Sequence, residues 1–387
     1  MRKRPIEWPE GALRNVRCRG VDAPRVAAHQ RPMRLPCVFP TLLLALAAFA
    51  APGLRAASTS ITYPAGPGPG SGRHLVFLTG DEEYRGEEGL PMLAKILSQR
   101  HGFRCTVLFA LDPDGTINPD HNASVPGSEA LDTADGIVMA LRFRQWPDAA
   151  MRRLAAAVDR GVPITALRTS THAFRFPAGH PSAYRHFNDF GRNVLGENWV
   201  SHWGANRRGA TKGVIEPGAE NDPLLRGVGL IFGDSGVYET HPVADARILV
   251  RGQVLAGMRP DDPPDTKQRK VRKADNIEQG INAPMMPIAW TRVNRNANGT
   301  TNRVFCTTMG AATDLANEGL RRLVVNAVLA GFGVEIPART DVTYVDPYEP
   351  APYAFKGFRL GLTADDHALG KVLPPGLPRP APAPKKK

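Results

Sequence analysis

Pro163-Ile164-Thr165-Ala166-Leu167-Arg168-Thr169-Ser170-Thr171-His172 is the stretch whose reading decides the fold. It begins as a short apolar strand behind a helix stop at Gly161 and ends in a polar turn carrying an arginine, three hydroxyls and a histidine. In an open parallel α/β sheet, ligands gather at the C-terminal ends of strands, where loops and helix N-termini converge.

Upstream, the same grammar repeats. His74 to Thr79 reads as a buried strand running into Gly80-Asp81-Glu82-Glu83-Tyr84-Arg85. Pro91 then opens a helix with Leu93, Ile96 and Leu97 at helical spacing, ended by Gly102. Cys105 to Phe109 is a second strand, and a long polar loop follows. Gly136 to Ala140 is a third, feeding Leu141-Arg142-Phe143-Arg144. Pro147 and Asp148 start a helix whose Met151, Leu154, Ala155 and Val158 share one face. Strands alternating with amphipathic helices predict a parallel sheet covered on both faces.

Beyond His172 the pattern loosens. Tyr184 to Leu195 reads as helical, and Glu197 to Gly204 as a short strand entering a turn. Thr211–Glu216, Ala246–Arg251, Val254–Met258, Met286–Trp290 and Arg303–Thr308 read as strands. A last helix carries Leu320, Leu323, Val324, Ala327 and Val328 on one face. The basic run Lys267 to Lys273 reads as a solvated insertion, with an anion-binding patch as the rarer meaning.

The net charge of +12 belongs to the ends of the chain. Residues 1–57 carry ten Lys/Arg against three Asp/Glu, and residues 371–387 carry five Lys/Arg and no acid, so the body between them balances 34 against 34. A neutral body argues against a nucleic-acid partner. Arg31 and Arg34 precede the apolar run Pro40 to Ala50, which is too short to span a bilayer and is followed by small residues; this reads as a cleavable export signal. The expected organisation is a leader over 1–57, a Gly/Pro linker over 58–73, an α/β domain over 74–360 and a basic Pro-rich disordered tail over 361–387. The expected location is periplasmic or extracellular, with no stable membrane anchor after cleavage, and homo-oligomerisation is left open. Outside the leader only Cys105 and Cys306 remain; both sit in strand-like runs and read as separate buried thiols, although an oxidising compartment leaves a disulfide open.

Three strand ends carry polar clusters that a parallel sheet would place on one edge: Asp81, Glu82, Glu83 and Arg85; Arg142 and Arg144; Arg168, Thr169, Thr171 and His172. A shared pocket is the functional expectation; helix capping and structural ion pairing are the plainer alternatives. Trp199, His202 and Trp203 fit a sugar-stacking wall, or simply a core of two indoles. Asp234, Tyr238, Glu239 and His241 form a further group, and His202 with Glu239 or His241 leaves a divalent metal site open. No Gly-x-Ser-x-Gly elbow, G-x-G-x-x-G loop or Walker sequence is present.

These residues resemble the ThuA-like (trehalose-utilisation) family, a branch of the class I glutamine amidotransferase-like superfamily. The matching segments are Phe77 to Arg85, Arg142 to Arg144, Arg168 to Phe174, Leu195 to His202, Pro287 to Trp290 and Arg303 to Gly310. The resemblance implies a flavodoxin-like three-layer fold, with a mostly parallel sheet and helices on both faces, in which the amidotransferase cysteine has been lost. It also implies a link to carbohydrate metabolism, often of disaccharides or keto-sugars. Other members commonly carry a histidine where Arg168 stands. The expected function is action on a small-molecule carbohydrate, by isomerisation or non-thiol hydrolysis. Glu83 and His172 are the acid/base candidates; Arg85, Arg142, Arg144, Arg168, Thr171, Trp199, His202 and Tyr238 are the candidates for holding substrate. The competing expectation is a non-catalytic carbohydrate-binding or assembly module.

Overall fold

The computed structural model describes residues 58–374; the leader and the last thirteen residues of the tail lie outside the described residues. Strands in chain order are β1 (Ser60–Tyr63), β2 (His74–Gly80), β3 (Arg104–Leu108), β4 (Gly136–Leu141), β5 (Ile164–Leu167), β6 (Ser201–His202), β7 (Thr211–Ile215), β8 (Phe232–Gly233), β9 (Tyr238–Glu239), β10 (Arg247–Val254), β11 (Arg269–Val271), β12 (Glu278–Gly280), β13 (Met286–Arg295) and β14 (Thr301–Thr307). Helices are α1 (Gly86–His101), α2 (Asp148–Asp159) and α3 (Glu318–Gly331).

Ten strands form one sheet in the order β1-β3-β2-β4-β5-β14-β13-β10-β7-β8. The α/β reading is therefore right, but "mostly parallel" holds only for the centre. β3, β2, β4, β5 and β14 run parallel, whereas every other neighbour pair is antiparallel. The reason is connection length. β13 and β14 are joined by a tight turn in which Asn296 N–H donates to Thr300 O, and a hairpin can join only antiparallel strands.

Alternation along the central strands sends neighbouring side chains to different cores. Leu75 and Phe77 of β2 pack with Leu93, Ile96 and Leu97 of α1 and with Leu320, Leu323 and Val324 of α3. Val76 and Leu78 pack instead with Met151, Leu154 and Val158 of α2. Truncating a fully buried residue such as Phe77 or Leu154 would cost about 3–4 kcal/mol, the lost transfer energy plus the cavity left behind.

α1 begins at Gly86, earlier than Pro91, because Arg85 takes a left-handed conformation (φ 59°) that turns the chain straight into the helix; Gly102 (φ 78°) ends it with its N–H on Ser98 O. Elsewhere the boundaries shift. The two strands expected over 246–251 and 254–258 are replaced by one, β10, which ends at Val254, and Tyr184–Leu195 splits into short turns over Arg185–Asp189 and Gly191–Leu195. The linker expected over 58–73 contains β1, which pairs with β3. The tail expected from 361 is ordered at its start, where Thr363 and Asp366 form a capping box and His367 is buried beside Phe109; residues 369–374 are mostly exposed. Among the described residues, no helix is long and apolar enough to cross a membrane.

Candidate functional site

The turns after β2, β4 and β5 meet at one edge of the sheet, tied together by side chains. Asp81 Oδ1 accepts the backbone N–H groups of Glu83 (2.8 Å) and Tyr84 (3.0 Å), while its Oδ2 accepts from Thr169 Oγ1 across the sheet. Glu82 accepts from Arg142 and, at 3.0 Å, from Arg144. Three of the six non-glycine residues with positive φ among the described residues stand in these turns: Arg85 (59°), Phe143 (51°) and Arg168 (48°). Such backbone strain concentrates at sites that the surrounding structure over-determines.

Arg168 is the pivot. It follows the last residue of β5 directly, in the left-handed region, and a helical turn over Arg168–His172 follows it. This is the strand-turn-helix shape of a nucleophile elbow, formed without flanking glycines. The side chain, however, is 1% exposed and used up. It donates to Gly236 O (2.9 Å), Thr308 O (2.7 Å) and Tyr84 Oη (3.0 Å), and lies between the rings of Tyr238 (4.0 Å) and Tyr84 (4.3 Å).

Arg85 and Arg144 are likewise scaffold. Arg85 donates to Glu82 O and Ala354 O, each at 2.7 Å; Arg144 donates to Arg142 O (2.6 Å), Pro119 O (3.0 Å) and Glu82. Both are buried, so neither guanidinium reaches a substrate. Thr171 is buried too, with its Oγ1 3.3 Å from His172 Nδ1, where it orients the imidazole. Of the proposed substrate-binding arginines only Arg142 keeps an accessible guanidinium, at 18% side-chain exposure, flanked by the rings of Phe143 (4.5 Å) and Phe355 (5.0 Å).

A cluster of rings completes the site. His172 lies 5.0 Å from Phe143, 5.2 Å from Trp199 and 6.2 Å from Tyr238; His202 lies 5.2 Å from Tyr238 and 5.8 Å from Trp199. Trp199 and both imidazoles are half-buried. Trp199 Nε1 and His202 Nδ1 are buried and have no hydrogen-bond partner among the described residues. Trp203, by contrast, is core: it is buried and donates to Ile281 O. Burial pushes the His172 imidazole well below the ordinary histidine range, with Arg142 and Arg168 adding to the effect. Burial likewise lowers His202 to about 4, assisted by Arg168, Lys270 and Arg142. Glu83 moves the opposite way: burial, then Asp81, raises its carboxyl, and its backbone N–H is held while its carboxylate makes no hydrogen bond among the described residues.

Glu239 does not join His202 at a metal. Its carboxylate accepts from Ser201 Oγ (2.8 Å), Lys273 N–H (3.0 Å), Ala274 N–H (2.9 Å) and His241 (3.3 Å), leaving no oxygen free. Among the described residues, no group of three His, Cys, Asp or Glu side chains is placed to hold a metal ion. Cys105 and Cys306 are buried, unpaired and on non-adjacent strands, and burial raises both thiols.

The sequence reading missed Tyr84, Phe143, Lys270 and the C-terminal segment, whereas Asn206 stands in the group it formed around His202. Asn206 Nδ2 donates to Tyr84 Oη (2.8 Å), and Lys270 Nζ caps the carbonyls of His202 and Trp203. The ring of Tyr353 lies 5.1 Å from that of Tyr84, tilted by 33°. Tyr84 lay in plain view within the Asp81–Arg85 turn; nothing in the basic run marked Lys270 as the residue that reaches the site.

No family model and no curated protein matches the chain. Two solved structures similar to it are ThuA-like proteins by description. One is from Parabacteroides merdae, at 13% identity and a TM-score of 0.40, covering 68% of this chain and 92% of its own. The other is from Bacteroides uniformis, at 14% identity and a TM-score of 0.33, covering 68% and 93%. Both carry the family name to which the sequence resemblance leads. Likeness at this level leaves function to be argued from the site itself.

Proposed function

We propose that the chain is an exported ThuA-like protein of flavodoxin-like, three-layer architecture that acts on a sugar or sugar derivative at the Phe143–His172–Trp199–His202–Tyr238 ring cluster. Numbered among themselves, the parallel strands run 2-1-3-4-5, which supports the flavodoxin-like reading. The separate packing of α1 with α3 and of α2 supports helices on both faces. The strained turn at Arg168 supports descent from an amidotransferase-like elbow.

The observation that carries the reading is the pairing of the half-buried rings of Phe143 and Trp199, with Tyr238 buried behind them, with imidazoles held neutral at the C-terminal strand ends. An indole face takes the apolar face of a sugar ring. A neutral His172 accepts a proton from a sugar carbon or hydroxyl, and Glu83, whose carboxyl burial raises above the ordinary carboxylate range, is the acid that returns one. Arg142 orients a substrate oxygen. The test is titration calorimetry and product analysis against a panel of mono- and disaccharides. Binding and turnover are expected in the parent protein, with turnover lost in Glu83→Gln and His172→Ala. Unchanged turnover in both variants would sink the assignment.

A second reading, a carbohydrate-binding module without turnover, is favoured by one observation: the two hydroxyls that follow the elbow are buried and engaged, Thr169 donating to Asp81 and Ser170 to Met139 O, so neither is a nucleophile. Calorimetric binding with no product from any sugar would select it.

A further inference from the structure

The ring cluster stands where β5 ends; where β5 begins, a second cavity opens. α3 packs over β5 and β14 on one face of the sheet, and beside it a cleft of about 350 Å³ runs out across β13. Its floor is one row of paired residues: Thr165 of β5, Phe305 of β14 and Thr291 of β13. Strand alternation turns Thr165 and Leu167 toward α3, while Ile164 and Ala166 face α2. The space exists because α3 lines it with small residues, Ala327, Ala330 and Gly331. The opposite wall, at Leu224, is held in place. Asn326 of α3 donates to Leu224 O (2.9 Å) and Arg226 O (3.1 Å), and Arg247 pairs with Asp222 at 3.1 Å. The cleft is therefore preformed.

Two hydroxyls face this apolar space. Thr165 is 4% exposed and Thr291 half-buried, and neither Oγ1 has a hydrogen-bond partner among the described residues. Thr79, Thr211 and Thr240 are buried too, yet each donates to a main-chain carbonyl. A buried hydroxyl without a partner costs free energy that a hydrogen bond from a ligand would offset. The two threonines stand two strand spacings apart, about 10 Å, with Phe305 between them. Charge at the rim offers no anchor. Arg247 is paired with Asp222 and Arg292 with Asp245, each at 3.1 Å; Arg303 is exposed to water and donates to Ala330 O.

We infer that this cleft binds an uncharged fused-ring compound carrying a hydroxyl or carbonyl at each end. The polar ends meet Thr165 and Thr291, and the apolar body lies on Phe305 against the small residues of α3. A rigid ring system spans the gap at a lower ordering cost than a flexible chain of the same length. Cleft volume, apolar lining and a few convergent polar groups are the features of a small-molecule site. The site is independent of the sugar reading, from which the length of β5 separates it.

The experiment is fluorescence titration of the full chain with N-phenyl-naphthylamine, a neutral probe that brightens in apolar surroundings. One saturable site is expected. A naphthalenediol with its hydroxyls at opposite ends should displace the probe at about tenfold lower concentration than naphthalene. Thr165→Val keeps the shape and removes the hydroxyl; it should erase most of that preference while moving probe affinity by less than about twofold. Ala330 is half-buried in the last turn of α3, so Ala330→Leu fills the cleft without entering the core. It should weaken the probe by about tenfold or more at an unchanged melting temperature. No saturable binding, or binding untouched by Ala330→Leu, would overturn the site. Loss of the probe in Trp199→Ala alone would place it at the ring cluster, with the same consequence. Equal displacement by the diol and naphthalene would overturn the role of the two hydroxyls. Displacement by naphthoate ahead of the diol would overturn the neutral ligand class.

Discussion

The guanidinium of Arg168 donates to the hydroxyl of Tyr84 at 3.0 Å while lying 4.3 Å above the same residue's ring. One contact joins the turn after β5 to the turn after β2, and the arginine then reaches on to Gly236 O and Thr308 O. Replacing Arg168 with alanine would strip partners from two buried carbonyls and keep an unfavourable φ of 48°. We expect a loss of about 3 kcal/mol in unfolding free energy, read from urea melts. A loss below about 0.5 kcal/mol would mean that the side chain is not the pivot described.

Glu87, buried in the first turn of α1, sets a pH dependence of stability. Its carboxyl is raised from 4.5 to about 7, chiefly by burial. Between those values the folded protein keeps a proton that the unfolded chain has released, so stability falls as pH rises through the window. Glu87→Gln is expected to match the parent near pH 5 and to exceed it by about 2 kcal/mol at pH 8 in chemical denaturation. A variant less stable than the parent at pH 8 would show that the Arg85–Glu87 contact at 3.5 Å outweighs the burial cost.

His202 works with the opposite sign. Its folded value of about 4 lies below the ordinary 6.5, so between the two the unfolded chain binds more protons and stability falls as pH drops through that window. His202→Gln should flatten the fall. If the imidazoles act in their neutral form, ligand affinity should also stay level from pH 8 down to about 5.5, where an ordinary histidine would already be charged.

The two buried thiols predict a labelling pattern. Iodoacetamide at pH 7 should leave Cys105 and Cys306 unmodified in the folded protein and alkylate both in guanidinium chloride, as peptide mass spectrometry would show. Rapid native labelling of Cys306 together with loss of activity would reopen thiol chemistry.

Trp199 is half-buried beside His172 and His202, so a sugar stacked on it should alter its emission. Trp199→Ala is expected to weaken sugar binding by about tenfold or more with little change in melting temperature. A collapse of the melting temperature would instead place the indole in the core.

The central strands were legible because buried β-strands and amphipathic helices leave different periods in the sequence, and the polar residues after β2, β4 and β5 stood out against them. The antiparallel half was harder, since its register follows from short turns rather than from a helical repeat. The roles of the arginines were not legible at all. A guanidinium that faces a ligand and one that faces Gly236 O, Thr308 O or Pro119 O look alike in sequence, because main-chain carbonyls carry no residue-specific signal. Lys270 was hidden for the same reason: its partners are the carbonyls of His202 and Trp203, some seventy residues away.

The turn after β2 is finished by residues from the far end of the chain. Ala354 O receives Arg85, Ala351 N–H is held by Glu88, Tyr353 covers Tyr84, and Phe355 lies against Arg142. During synthesis the central strands can therefore form long before the site is complete. A ribosome-bound chain that has not yet released residues 351–355 holds these turns without their final clamp, so this edge of the sheet is finished only once that segment has emerged.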